Sequence, residues 1–250
     1  MSAPGRKGVR LASADAGATP PCPLGVCDGS GWILGPEDVA RPCECRDGRL
    51  ARRRARGVAS TIPARYRGVG LDRPPISAMA SDPSRAPVYE AVRDFVAEVS
   101  ARLDEGRGVW LMGDVGTGKT SLAMLVSKAA VEAGRTVAIY SLPKLLARIR
   151  ATYEKDVGGD SYTQFFDRLI SVDLLHVDDL GVEKRSDWVL EQLYAVVNER
   201  YEMERSMVVT TNLDQADLEA QIGLRTVSRL VEICGDPLPL FGDDLRYQVA

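Results

Sequence analysis

The chain has 250 residues, of which 45% are hydrophobic and 27% charged, enough apolar material for a packed core and therefore a globular protein. A net charge of −3 gives no global case for a nucleic-acid binder. No run of 18 apolar residues argues a membrane span, and residues 1–21 lack the apolar centre of a secretory signal, so the expected location is the cytoplasm and no membrane partner is expected.

Residues 1–21, rich in Ala, Gly, Ser and Pro, read as a disordered tail. Next comes a module over 22–60 that holds four of the five cysteines, Cys22, Cys27, Cys43 and Cys45. In a reducing compartment this clustering favours metal over disulfide, and four thiolates can close a tetrahedral zinc site that folds so small a module. Neither spacing is the usual C-x-x-C, and unligated thiols are the alternative. Charge is unevenly placed: residues 46–73 carry nine Arg against two Asp. This basic arm suits a phosphate backbone or an acidic partner, with a solvated arm as the plain alternative. Residues 61–87, marked by Pro and Gly, read as a linker.

From 88 onward strand and helix take turns. Val88, Val92, Phe95, Val96, Val99 and Leu103 recur at three- and four-residue spacing and predict one amphipathic helix. "VWLM" then reads as a short buried strand that enters a glycine-rich loop. Helix near 119–133, strand "TVAIY", helices "LPKLLARIRATY" and "SYTQFFDRLI", strand "DLLHV", helix "DWVLEQLYAVVNERYEME" and strand "MVVTT" follow. Such alternation implies an α/β domain with a parallel sheet covered on both faces. Three Trp and eight Tyr are scattered, so no stacking platform is evident along the sequence.

"GDVGTGKTS", Gly113 to Ser121, matches G-x-x-x-x-G-K-[ST] between a strand and a helix, the context that the motif needs. Gly113, Asp114, Val115, Gly116, Thr117 and Gly118 form a loop whose backbone N–H groups can close around phosphate oxygens. Lys119 reaches the β- and γ-phosphates, Thr120 can ligate magnesium, and Ser121 completes the motif. "LLHVDDLG" ends an apolar strand in two adjacent acids, a repulsion that a cation would relieve. If this strand lies beside the first, Asp178 faces the magnesium and Asp179 polarises the attacking water. His176, on the same strand face as Asp178, reads as a core histidine rather than a catalytic one. Thr210, Thr211 and Asn212 give the third strand an uncharged polar tip that could sense a γ-phosphate or serve as ordinary turn chemistry. Arg225 and Arg229 share a face if helical, either pairing with surface acids or completing a neighbouring subunit's site.

These residues together resemble the DnaC/DnaI and IstB group of AAA+ ATPases, the replicative helicase loaders and transposition helpers. The likeness runs from about "TIPARYRG" to "GDDLR" and rests on "GDVGTGKTSLA", "VDLLHVDDLGVEKRSDWVLEQLYAVVNERY", "VVTTNL" and "LRTVSRL". It implies a P-loop αβα ATPase core over 88–250, ATP with magnesium, self-association into a ring or spiral, and contact with single-stranded DNA. It also implies that Lys119 and Thr120 are the Walker A pair and that Asp178 and Asp179 are the Walker B pair. Asn212 is then the first sensor, Arg229 the arginine finger with Arg225 as alternative, and Arg246 a second sensor at the γ-phosphate. Asp179, where several members carry Glu, points to slow hydrolysis, and the short chain after Leu213 points to a reduced lid. A cysteine module in front resembles the loaders, in which that part grips the hexameric helicase; an IstB-like helper of a transposase is the alternative.

Overall fold

The computed structural model describes residues 22–35, 39–46, 49, 62–153 and 161–245. The expected tail over 1–21, residues 47, 48 and 50–61 of the basic arm, and Arg246 lie outside the described residues. The chain divides into two compact units, Met1–Leu50 and Ala51–Ala250.

In the first unit β1 (Trp32–Leu34) pairs antiparallel with β2 (Ala40–Pro42), Trp32 opposite Pro42. So short a hairpin cannot bury a core of its own. The buried residues are instead the cysteines Cys22, Cys43 and Cys45, with Cys27 and Ile33 packed against them.

In the second unit a short helix α1 (Ile76–Met79) precedes α2 (Ala86–Ala97) and α3 (Val99–Asp104). The segment read as a linker is therefore packed: Ile76 and Met79 are fully buried and anchor it in the core. The single helix expected over 88–103 is two, broken at Glu98, whose ψ of 23° leaves the helical region. The apolar period runs through the break, since Val88, Val92, Phe95, Val99 and Leu103 are all buried on the same side.

Then come β3 (Val109–Gly113), α4 (Lys119–Glu132), β4 (Val137–Ser141), α5 (Leu142–Ala151) and α6 (Tyr162–Ser171). The chain continues through β5 (Leu174–Asp178), α7 (Asp187–Glu202), β6 (Ser206–Thr211), α8 (Gln215–Ile222), α9 (Leu224–Cys234) and β7 (Leu238–Leu240). β7 carries Pro239 and has no counterpart among the expected strands; it adds a short edge to the sheet, where a missing N–H is tolerated. No α-helix follows β7 among the described residues.

All five strands are parallel, in the order β4-β5-β6-β3-β7. Alternation along them sends Val109, Leu111, Leu174 and Val208 toward α1 to α4, and Trp110, Leu175, Val177 and Val209 toward the opposite layer of helices. The result is the three-layer αβα sandwich expected from the alternating pattern. One placement differs from the sequence reading. β5 does not lie beside β3, because β6 is inserted between them, paired with both.

A buried cation ties this layer together. Arg200 of α7 has no exposed surface, and its guanidinium donates to the carbonyl oxygens of Leu169, Ile170, Val172, Asp173 and Ser206 at 2.6–3.3 Å. It thus caps the C-terminal end of α6, whose last carbonyls have no partner within the helix.

Candidate functional site

The loop between β3 and α4 sits at the carboxyl ends of the strands, where ligands bind in open α/β sheets. Its glycines are needed for space. Gly113 has φ of +135°, and a Cβ there would lie 2.0 Å from the Leu240 carbonyl oxygen; Gly116 has φ of +80°, and its Cβ would collide with the Asp244 carboxyl carbon at 2.0 Å.

The chain beyond β7 is stitched to this loop. Asp114 N–H donates to Leu240 O at 3.0 Å, Gly242 N–H to the Asp114 carboxylate at 3.0 Å, and Leu245 N–H to Gly116 O at 3.0 Å. Buried Arg85 adds a fourth tie, donating to Asp243 O at 3.0 Å. Sequence reasoning missed this strap, since nothing local marks the carbonyls of a loop as the partners of a segment 130 residues away.

Lys119 opens α4 and is only 5% exposed, with its ammonium donating to Gly113 O at 2.8 Å and to Asp114 O. Burial lowers its pKa, against the pull of the carboxylates of Asp179, Asp114 and Asp178. An ammonium folded back on its own loop's carbonyls is a donor set suited to phosphate oxygens.

Thr120 donates its hydroxyl to Asp178 Oδ1 at 3.0 Å, so the P-loop threonine and the first acid meet although 58 residues separate them. The inserted strand makes this possible. Thr210 of β6 donates to the same Oδ1 at 2.7 Å and accepts the Asp179 N–H at 2.9 Å, bridging the gap that β6 opens and gripping both acids. Asp179 takes a left-handed φ of 58°, unusual outside glycine, asparagine and aspartate. Its pKa is raised, first by burial and then by the Asp178 charge, with Lys119 opposing. His176 is fully buried, its Nδ1 2.8 Å from Ser127 Oγ of α4, and burial drives its pKa down to about 3. It is a neutral core histidine, as its position on the strand implies.

Asn212 stands just past the end of β6 and is exposed; the contact to the acids belongs to Thr210, a role not read from the sequence. Arg225 and Arg229 both lie on α9. Arg229 is bound within its own chain, at 2.9 Å to Glu232 and 4.0 Å over the Tyr201 ring, while Arg225 is exposed. Tyr201 lies in the last turn of α7 just before β6 begins, which places Arg229 at the end of the sheet opposite the acids. Arg246 lies outside the described residues.

The scattered aromatic residues do meet. Tyr153, Tyr162 and Phe166 stack in a ladder with centroids 5.3 and 5.6 Å apart, and Tyr153 is 52% exposed at its end. Arg150 lies over Trp188 at 4.5 Å and Arg148 over Phe165 at 6.0 Å. This cluster of rings is not evident along the sequence, because Tyr153 and Tyr162 meet only once the chain is folded.

In the first unit the four thiols converge, all sulfur atoms lying within 4.8 Å of one another, with Cys22 to Cys43 at 3.9 Å and Cys27 to Cys45 at 3.6 Å. Four sulfurs about 2.3 Å from a central zinc stand about 3.8 Å apart, so the set fits a tetrahedral ion and is too wide for disulfides. The backbone N–H of Cys27, then those of Val26 and Leu24, hydrogen-bond to the Cys22 sulfur and lower its pKa to about 6; burial, with the neighbouring thiols, pushes Cys45 up to about 12. Cys234 stands apart in the second unit, its thiol near Met207 O.

A family model described as IstB-like ATP binding protein matches residues 96–231, which include the phosphate loop, both acids and the greater part of α9. The chain belongs to this ATP-binding family. Among curated relatives, the uncharacterized protein YdaV of Escherichia coli strain K12 is 28% identical over 118 residues, covering 47% of this chain and 46% of its own. The replicative helicase loader DnaC of Buchnera aphidicola subsp. Baizongia pistaciae is 28% identical over 120 residues, covering 47% and 48%. The chain thus spans about half the length of the curated relatives it matches. Among solved structures, the DnaC helicase loader superposes with a TM-score of 0.59 at 28% identity, over 72% of this chain and 100% of that one. The replication initiator DnaA bound to AMPPCP and single-stranded DNA shares the fold, with a TM-score of 0.59 at 20% identity over 74% and 52%. The membership and these superpositions agree with the AAA+ P-loop core that the motifs imply. No helix among the described residues is long and apolar enough to cross a membrane.

Proposed function

We propose that the protein is an ATP-dependent loader of a hexameric replicative DNA helicase, with the AAA+ unit binding and hydrolysing ATP and the cysteine module docking the helicase. The observation that carries the ATPase reading is the Thr120–Asp178 hydrogen bond beside buried Lys119, which gathers a phosphate ligand and a divalent-ion ligand at one sheet edge. Support for the helicase reading comes from the likeness to the DnaC loader structure over its whole length.

In this reading Lys119 turns from Gly113 O and Asp114 O to phosphate oxygens, and the N–H groups of the loop enclose them. Thr120 and Asp178 hold magnesium, which when bound supplies charge neutralisation along the phosphates. Asp179, whose raised pKa suits a proton acceptor, orients the attacking water, and Asn212 at the strand tip faces the γ-phosphate as a sensor. Arg225 or Arg229 serves the site of an adjoining subunit in a ring or spiral, a reading that Arg229's place beside Tyr201, at the end of the sheet opposite the acids, supports. Arg246 acts as a second sensor. Single-stranded DNA contacts the ladder of Tyr153, Tyr162 and Phe166, where an exposed ring offers a stacking face. Zinc on Cys22, Cys27, Cys43 and Cys45 holds the front unit together, since its hairpin has little other core. The domain reading keeps a zinc module ahead of an ATPase unit, with the packed segment around α1 joined to the latter.

Pull-down of the host's replicative helicase with the full chain, and with a chain lacking residues 1–60, tests this. Capture by the full chain alone is the expected result; no capture by either form overturns the helicase reading. The IstB-like description of the family model favours a second reading, an ATP-switched helper of a transposase. That one expects nucleotide-dependent filaments on duplex DNA and no affinity for helicase.

A further inference from the structure

We infer that His176 is a positioning residue for Asp178, its Nε2–H directed at the acid's Oδ1 from inside the sheet while Ser127 fixes the tautomer. The inference rests on the reading of Asp178 as the magnesium-holding acid. Its starting point is an apparent waste. His176 sits between Ile139 and Val208 in register, on the interior strand β5 and fully buried, where a leucine or valine would pack without polar cost. Yet its Nε2 is buried with no hydrogen-bond partner, and it lies 4.0 Å from Asp178 Oδ1.

Strand alternation puts residues 176 and 178 on one face, toward α4, where Ser127 waits at 2.8 Å from Nδ1. A neutral imidazole has one N–H to place. On Nδ1 it would donate to Ser127 and leave the Nε2 lone pair facing a carboxylate, two electron-rich groups in a dry site. On Nε2 it faces the negative charge, and the Ser127 hydroxyl donates to Nδ1. Electrostatics selects the second arrangement.

The consequence concerns which oxygen of Asp178 is free. Oδ1 already accepts from Thr120 at 3.0 Å and Thr210 at 2.7 Å, and Nε2–H is the third positive dipole turned toward it. Oδ2 has only the longer Thr120 contact at 3.3 Å. These contacts favour one orientation of the carboxylate, with Oδ2 presented to a cation. Outer partners of metal-holding carboxylates commonly matter about 10- to 100-fold in metal affinity, and the long contact here places His176 at the low end.

The test uses the full chain and a fluorescent ATP analogue, titrated with magnesium and, separately, measured in chelator. His176→Leu is expected to raise the half-saturating magnesium concentration about tenfold while leaving affinity in chelator unchanged. His176→Gln, whose amide nitrogen reaches the place of Nε2, should recover most of the loss, and Ser127→Ala should shift it in the same direction by less. Because the chain has one histidine, its ring nitrogens can be observed by NMR without ambiguity in the unmodified protein. A protonated Nε2 whose signal moves on adding magnesium with nucleotide supports the inference. Protonation on Nδ1 overturns it, whether or not the variants fold. So does a His176→Leu protein with unaltered magnesium dependence when Asp178→Asn has lost it. If Asp178→Asn itself keeps full magnesium dependence, the assignment of that acid fails and this inference with it.

Discussion

Replacing Arg200 with Leu removes the donor set that five carbonyl oxygens share, without opening a large void. Leu169 O and Ile170 O belong to the last turn of α6, and Val172 O and Asp173 O to the entry of β5, so no helix bond replaces what is lost. Each buried carbonyl left without a partner costs about 1–3 kcal/mol. Set against this is the relief of burying a cation, a cost visible in the fall of the Arg200 pKa to about 9 through burial, and worth several kcal/mol. The net expected loss is about 3–5 kcal/mol, a large part of the stability of a domain. Arg200→Lys, with an ammonium that can serve at most three acceptors, should fall between. Urea unfolding followed by circular dichroism, comparing midpoints at constant m-value, reads the difference. A loss below about 1 kcal/mol for Arg200→Leu would show that water reaches these carbonyls and that the capping argument is wrong.

Lys119→Ala should weaken ATP binding beyond detection in a nucleotide titration while leaving the fold intact by circular dichroism. Asp179→Asn should stabilise the nucleotide-free protein near neutral pH, because the folded state prefers the protonated acid: that preference stabilises fully at low pH and is lost as pH rises through the raised folded pKa. Thermal unfolding at pH 7 and at pH 3.5 should therefore show a gain only at the higher pH, and asparagine keeps the left-handed backbone. Removing zinc with a strong chelator should release about one equivalent of metal and unfold the first unit, and Cys43→Ser should do the same; metal analysis with proteolysis of residues 22–50 reads both. Arg225→Ala and Arg229→Ala chains mixed with Lys119→Ala should recover part of the lost ATPase rate if a finger acts between subunits, and none if it acts within one.

Much of the site was legible in sequence because its parts are local. The loop from Gly113 to Ser121 and the acids at the end of "LLHVDD" each follow an apolar strand, and their chemistry is fixed by spacing alone. Strand order is a tertiary property, and no residue of β5 announces that β6 will lie between it and β3; hence Thr210's grip on both acids was not foreseen. The Pro and Gly content of 61–87 correctly marks turns but is silent on Ile76 and Met79, whose burial makes the segment part of the core. The aromatic ladder escaped for a related reason: Tyr153 and Tyr162 are neighbours only once α5 and α6 have folded.

The strap from Leu240 to Leu245 has a consequence for the phosphate loop. Its ties to Asp114 and Gly116 mean that the rim of the phosphate cradle and the segment after β7 share one mechanical support. Loosening the strap, as Asp114→Ala does by removing the acceptor of the Gly242 N–H, will therefore be felt as altered nucleotide affinity.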